Sequence, residues 1–362
     1  MQVPGHLHGS RERAGGSVRE VPFADETSGR VPVGLDAREQ AVVDALAAEG
    51  ATPDRPFQKT RRLLDAVGRR FGFEGEAAED LLHALAADWL LPVPLVVPHG
   101  NFGSAEDGPA DPSYTEARLG AVGLLAAERT TAGPLPLGLI NGRIHLGDHQ
   151  PSFDPDAMID AVLAACRDPK LAFEDLAAIV GDPVSASGCS VVGEMAALRY
   201  GERARIKYRS RIVHRPGRGR GALIVDRLPP DIGATAVVFA LTDPARLEGW
   251  PPGAFRPRPA EDDSEVGVPG VRTVRRSWVD DLAAVEITLD AGVDAATMLA
   301  RLQELWPITL ELDARLPAPL GAMVRGAVGP NAAEQQRRLD ALREAIALDR
   351  LTFRRNRPSS IG

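Results

Sequence analysis

The run GNFGSAEDGPADPSYTEARL, residues 100–119, decides how the chain is read. It places Tyr114, one of only three tyrosines among 362 residues, after a long Gly/Pro/Asp loop. The polar segment that Tyr114 opens reads as the start of a helix. Tyrosine is a competent covalent nucleophile toward phosphodiesters. That reaction needs the phenolate of a group whose ordinary pKa is about 10. It also needs cations set against the charge of the transition state, and usually a divalent metal. A lone tyrosine is otherwise a core or hydrogen-bonding residue, so the neighbours decide between the two.

Upstream, three amphipathic segments are predicted as helices: 36–49, 59–71 and about 76–90. The first buries Val42, Val43 and Leu46 and stops at Gly50. The second buries Leu63, Leu64, Val67 and Phe71, and Lys59, Arg61, Arg62, Arg69 and Arg70 make it strongly basic. The third buries Leu82, Leu85 and Trp89, with Glu76, Glu79 and Asp80 where the helix dipole favours negative charge. Three short helices with tight turns fit a helix-turn-helix or winged-helix module.

Downstream, Asp154 and Pro155 start a helix over 155–167, and a short helix follows at 173–180. The stretch RARIKYRSRIV at 203–213 alternates Arg203, Arg205, Lys207, Arg209 and Arg211. In one strand these five cations line a single face, a polyanion-binding ribbon. Strands are predicted at 222–228, 235–241 and 283–289, a linker at 251–270, and helices at 294–306 and along the charged tail from Asn331. The fold class expected is α+β.

Composition bounds the rest. Hydrophobic residues make up 44% and charged residues 25%, as in globular proteins. No run approaches the ~18 apolar residues of a membrane span. No signal-peptide core is visible in the Gly/Ser/Arg-rich first 32 residues, which read as a disordered arm. Cys166 and Cys189 lack metal spacing and suit reduced thiols in a cytoplasmic protein. The net charge of −8 argues against a nucleic-acid partner only weakly, because local distribution matters more. His145, Asp148 and His149 lack the third clear ligand of a metal site, so none is assigned. His83 reads as structural, and GRGRG at 217–221 is no phosphate loop because no helix follows it.

GNFGS followed by YTEARL resembles the active-site region of type IIA DNA topoisomerase A subunits, the gyrase A and topoisomerase IV A family. TPDRPFQKTRR, LGLINGRIHLG, FDPDAMIDAVLAAC, ARIKYRSRIV and VEITLDAGVDAATMLARLQELWPI resemble further family segments in the same order. The resemblance covers about residues 33–310. It implies a winged-helix DNA-gate domain over 33–150, a tower-like domain over 151–310 and a helical tail over 311–362, without the long coiled coil and the C-terminal wrapping domain. It further implies double-stranded DNA as partner, a homodimer or a gyrase-type B subunit, and Mg²⁺ and ATP bound only through that B-type protein.

Carried over by position, Tyr114 matches the nucleophile that forms a 5′-phosphotyrosyl link, and Arg118 a family arginine beside it. Lys59 and Arg62 match DNA-contacting positions, and Ile144 the isoleucine that wedges between base pairs. The chain departs from the pattern at the pocket itself. Ser113 stands where the family has arginine, Gly72 and Glu74 replace two histidines, and Gln40 and Ala41 replace an arginine pair. Losing one preorganised donor typically costs ~10²–10³ in rate. The expectation is therefore a DNA-binding relative with impaired or lost cleavage. A scaffold or dimerisation partner without DNA function is the alternative.

Overall fold

The computed structural model describes residues 33–72, 75–143, 149–217, 221–242, 268–280 and 282–356. The expected N-terminal arm and most of the 251–270 linker lie outside them. The fold is α+β, with three small antiparallel sheets set among helices.

Helix α1 (Ala37–Ala48) starts at a capping box: Asp36 accepts from the Glu39 N–H while Glu39 accepts from the Asp36 N–H, 2.8 Å each. The short strand β1 (Gln58–Lys59) runs straight into α2 (Thr60–Phe71). Gly72, left-handed at φ 64°, ends α2 at the predicted residue. Helix α3 (Glu76–Ala86) is one turn shorter than predicted. Ala87 leaves helical geometry, and prolines at 92 and 94 turn the chain into β2 (Val96–His99).

The predicted helix from Tyr114 is a strand. Residues Glu116–Leu119 form β3, the centre of a sheet ordered β1-β3-β2. TEARL is not strand-prone, but Ala117 and Leu119 alternate inward and both neighbours supply ladder partners, so long-range pairing outweighs local propensity. Helix α4 (Ala121–Ala127) follows so closely that a Cβ on Gly123 would collide with the Leu95 carbonyl oxygen. Next come α5 (Leu137–Asn141), α6 (Pro155–Arg167), capped by Asp154, and α7 (Phe173–Val180).

Strand β4 (Ser190–Gly193), helix α8 (Met195–Arg199) and strand β5 (Ala204–Arg209) lead to a break at Ser210. Its hydroxyl and N–H both donate to the Ile308 carbonyl, and the chain switches sheets there. Strand β6 (Arg211–Arg215) pairs with β7 (Ala222–Asp226). The predicted strand at 235–241 is instead helix α9 (Ala234–Thr242). TAVVFAL is rich in β-branched residues but apolar on every side, which also suits a helix buried against a sheet. Strands β8 (Val271–Val279) and β9 (Leu282–Leu289) complete a sheet ordered β6-β7-β9-β8, and helix α10 (Ala295–Leu302) packs with α9 into its core.

Strand β10 (Thr309–Ala314) returns to pair with β5, giving β10-β5-β4. After α11 (Leu320–Gly326), the 25-residue α12 (Ala332–Asn356) lays Leu339, Leu342 and Ile346 into the first core. Asp349 of α12 accepts the N–H groups of Ala121 and Val122 at 2.8 and 2.9 Å, closing the start of α4. Arg343 reaches Asp160 of α6 at 2.7 Å. Both cysteines are free and buried. No helix among the described residues is long and apolar enough to cross a membrane.

Candidate nucleic-acid interface

Tyr114 stands at the end of a tight turn. Asp111 accepts from the Ser113 N–H through its side chain at 2.8 Å and from the Tyr114 N–H through its carbonyl at 2.9 Å. The turn is bolted to the start of α2: the Thr60 N–H donates to the Thr115 carbonyl, the Arg61 N–H to the Pro112 carbonyl, and the buried Thr115 hydroxyl to that of Thr60 at 2.9 Å. The backbone is thus held while the phenol ring is 81% exposed. The donors at the head of α2 are spent on this turn and do not point at the phenol.

The cations around Tyr114 are engaged elsewhere. Lys59 lies 3.1 Å from Glu116, which also receives His99 at 3.1 Å, and these hydrogen bonds, that of Lys59 first, hold the Glu116 carboxyl below its usual range. Arg61 pairs with Asp111 at 3.8 Å. Arg118 donates to the Arg55 carbonyl at 2.8 Å and lies 4.3 Å over the Phe57 ring, whose centroid is 5.3 Å from that of His99. Ser113 brings no charge at all. Farther along α2, Arg62, Arg69 and Arg70 share the single carboxylate of Glu49 at 3.4, 3.7 and 3.5 Å. Three guanidinium groups on one acid leave α2 with surplus positive charge on an exposed face.

The loop that precedes Tyr114 is anchored at two places. Phe102 packs edge-on against buried His83 of α3, ring centroids 5.1 Å apart, so His83 is structural, as its sequence context suggests. Glu106 accepts from the Thr235 N–H at the head of α9 at 3.1 Å. Ile144, His145 and Asp148 lie outside the described residues. The ends of that segment are firm: Arg143 and Gln150 exchange two backbone hydrogen bonds of 2.7 and 2.9 Å, and Asn141 binds both the N–H and the carbonyl of Val93. His149 is buried and serves the fold. The Arg143 carbonyl can only accept, so Nδ1 carries the hydrogen, and bare Nε2 accepts the Tyr208 hydroxyl at 2.5 Å. Burial pushes the Tyr208 phenol far above its usual range.

The alternation at 203–213 is realised in part. Arg205, Lys207 and Arg209 share the outer face of β5, while Ile206 and Tyr208 point inward. Arg203 precedes the strand and Arg211 belongs to β6, beyond the sheet switch at Ser210. Carboxylates meet these cations. Glu311 of β10 takes Arg205 at 3.2 Å and Lys207 at 3.0 Å, Glu304 takes Arg209 at 3.7 Å, and buried Asp226 takes Arg211 in a two-pronged pair. Sequence reasoning has no signal for Glu311, which lies about a hundred positions away. It also misses Glu116, His99 and Phe57, although Glu116 sits inside YTEARL. Among the described residues no group of three His, Cys, Asp or Glu side chains is placed to hold a metal ion.

No protein-family model matches the chain. The DNA gyrase A protein of Synechocystis is 29% identical over 249 residues, 58% of this chain and 28% of that protein. The DNA gyrase A protein of Granulibacter bethesdensis is 27% identical over 245 residues, 59% of this chain and 26% of its own. The DNA topoisomerase 4 A protein of Synechocystis is 26% identical over 208 residues, half of this chain and 23% of its own. The chain is a divergent relative of type IIA topoisomerase A subunits. It spans about a quarter of the length of these three A subunits. The A-subunit resemblance drawn from GNFGS and YTEARL therefore extends to sequence similarity over more than half of the chain.

Proposed function

We propose that this A-subunit relative binds duplex DNA across the exposed face of α2 beside Tyr114, and that its capacity to cut DNA is impaired or lost. The observation that carries this reading is the pairing around Tyr114. An exposed phenol sits on a well-held turn, while Lys59, Arg61 and Arg118 are each committed to a carboxylate or a carbonyl. A phosphoryl-transfer nucleophile depends on preorganised positive charge, and cations that must first leave other partners supply less of it. Binding is less demanding. The surplus cations Arg62, Arg69 and Arg70 suit phosphate contacts, which position a protein without reading sequence.

In this reading α1, α2 and α3 with the β1-β3-β2 sheet act as a winged-helix-like DNA-gate module over 33–150. The segment 151–310 acts as a tower-like unit, and the tail over 311–362 closes onto the first. Arg205, Lys207 and Arg209 contact phosphates by exchanging Glu311 and Glu304 for DNA, a modest cost for exposed ion pairs. Ile144 enters the duplex, and Mg²⁺ and ATP are bound by a B-type partner. Duplex binding titrated against salt tests the reading. Linear weakening of log affinity with log salt, flattened by Arg62→Gln/Arg69→Gln/Arg70→Gln, supports it. Absence of any salt-sensitive duplex binding contradicts it and favours the scaffold alternative, which the internally paired face of β5 also suits.

A further inference from the structure

Strand β8 carries the sequence VRRSWV at 274–279 and, among the described residues, forms one edge of its sheet and pairs only with β9. A bulge shifts its register from Val271 opposite Leu289 to Thr273 opposite Thr288. The shift puts Val274, Arg276 and Trp278 on one face, opposite Ile287, Val285 and Ala283. Val274 enters the core there, but Arg276 and Trp278 run past its edge. Arg276 is exposed, Trp278 is 67% exposed, and Arg272 stands exposed at the bulge.

Among the described residues neither Arg272 nor Arg276 has an ion-pair partner. The helices on that face carry no carboxylate within their spans, since α9 reads ATAVVFALT and α10 reads AATMLARL, and Asp294, which caps α10, accepts from the Thr297 N–H and hydroxyl. Asp280 at the following turn is taken by Arg227 at 3.0 Å, and Glu286 on the opposite face by Arg215 at 3.4 Å. Arg301 of α10 reaches the Pro269 carbonyl at 3.4 Å, close in sequence to Arg272, and adds a further cation. Charged residues alone would serve to protect a sheet edge from unwanted pairing. A largely exposed tryptophan does not, because it invites association. Tryptophan and arginine together are the side chains most enriched where binding energy concentrates, and arginine forks suit phosphate.

We infer that Arg272, Arg276 and Trp278 of β8 form a second duplex-DNA contact, with the two guanidinium groups on phosphates and the indole packed against the sugar backbone. This rests on the DNA-binding reading above and adds a surface that the resemblance did not point to. It differs from the face of β5 in one respect: no carboxylate of the described chain has to be displaced before phosphate can bind.

The test uses the full chain and a random-sequence duplex. Salt titrations compare the unaltered protein, Arg272→Gln/Arg276→Gln and Arg272→Lys/Arg276→Lys. Loss of two phosphate contacts lowers the log–log slope by about 1.8, while the lysine variant keeps it. Independently, DNA should shield tryptophan emission from acrylamide in the unaltered protein, and Trp278→Phe should remove most of that shielding. An unchanged slope in Arg272→Gln/Arg276→Gln, with Arg62→Gln/Arg69→Gln/Arg70→Gln still flattening it, overturns the β8 contact and leaves the α2 reading standing. If the unaltered protein binds no duplex, both fall together. If Trp278→Phe abolishes self-association and leaves DNA shielding intact, the surface serves a second copy of the chain and the inference is wrong.

Discussion

Lys207 of β5 and Glu311 of β10 face each other across the strand pair, Nζ 3.0 Å from the carboxylate, and the same carboxylate holds Arg205 at 3.2 Å. A row of cations with no acid nearby in sequence is thus built into the fold together with its own counter-charge. Glu311→Gln should release Arg205 and Lys207 to phosphate. The expected outcome is a several-fold gain in duplex affinity at low salt and a slope steeper by about 1. The thermal midpoint should barely move, because exposed ion pairs contribute little to stability. Unchanged binding in this variant would remove β5 from the DNA surface.

Asp349 joins α12 to the start of α4, and burial raises its carboxyl above the usual range despite the two N–H groups it accepts. A carboxyl raised in the folded state contributes stability that is full below its unfolded pKa, about 4, and is lost as pH rises through the folded value. Asp349→Asn keeps the shape but turns an amide N–H toward the N–H of Ala121 or Val122. It should cost about 1–3 kcal/mol at neutral pH. The deficit should widen as pH falls toward about 4, because only the natural protein gains this group's stabilisation there. Urea titrations at neutral and mildly acidic pH measure both.

Gly123 permits α4 to lie directly on the Leu95 backbone. A Cβ there would collide with the Leu95 oxygen and stand 3.0 Å from the Leu119 side chain. Gly123→Ala should therefore destabilise by about 1–3 kcal/mol through overpacking, although alanine favours helices. Chemical denaturation of the variant measures this. A stability equal to the natural protein's would mean that α4 can shift, and that it does not brace the sheet beneath Tyr114.

Much of this architecture is legible where the signal is local. Asp154 with Pro155 marks a helix start, Gly50 marks a stop, and the alternation of Arg205, Ile206, Lys207 and Tyr208 marks a strand with one face outward. What sequence reading misses depends on distant partners. TEARL is a strand only because β1 and β2 flank it, and TAVVFAL is a helix because a sheet covers it. The candidate site divides in the same way. Tyr114 and its motif can be found by reading along the chain. The pairing of Lys59 with Glu116 and of Arg118 with the Arg55 carbonyl, which bears on whether the tyrosine is activated, needs the fold.

The most direct test of the central claim is covalent trapping. The protein is mixed with supercoiled DNA, Mg²⁺ and a gyrase-type B subunit, quenched with detergent and assayed for protein attached to DNA 5′ ends. Tyr114→Phe is the control, and because the ring is largely exposed the variant should fold like the natural chain. The account predicts salt-sensitive duplex binding in both proteins and no Tyr114-dependent adduct, or only a trace of one. An abundant adduct that disappears in Tyr114→Phe would show that the chain still cuts DNA, and that its cations leave Glu116, Asp111 and the Arg55 carbonyl to do so.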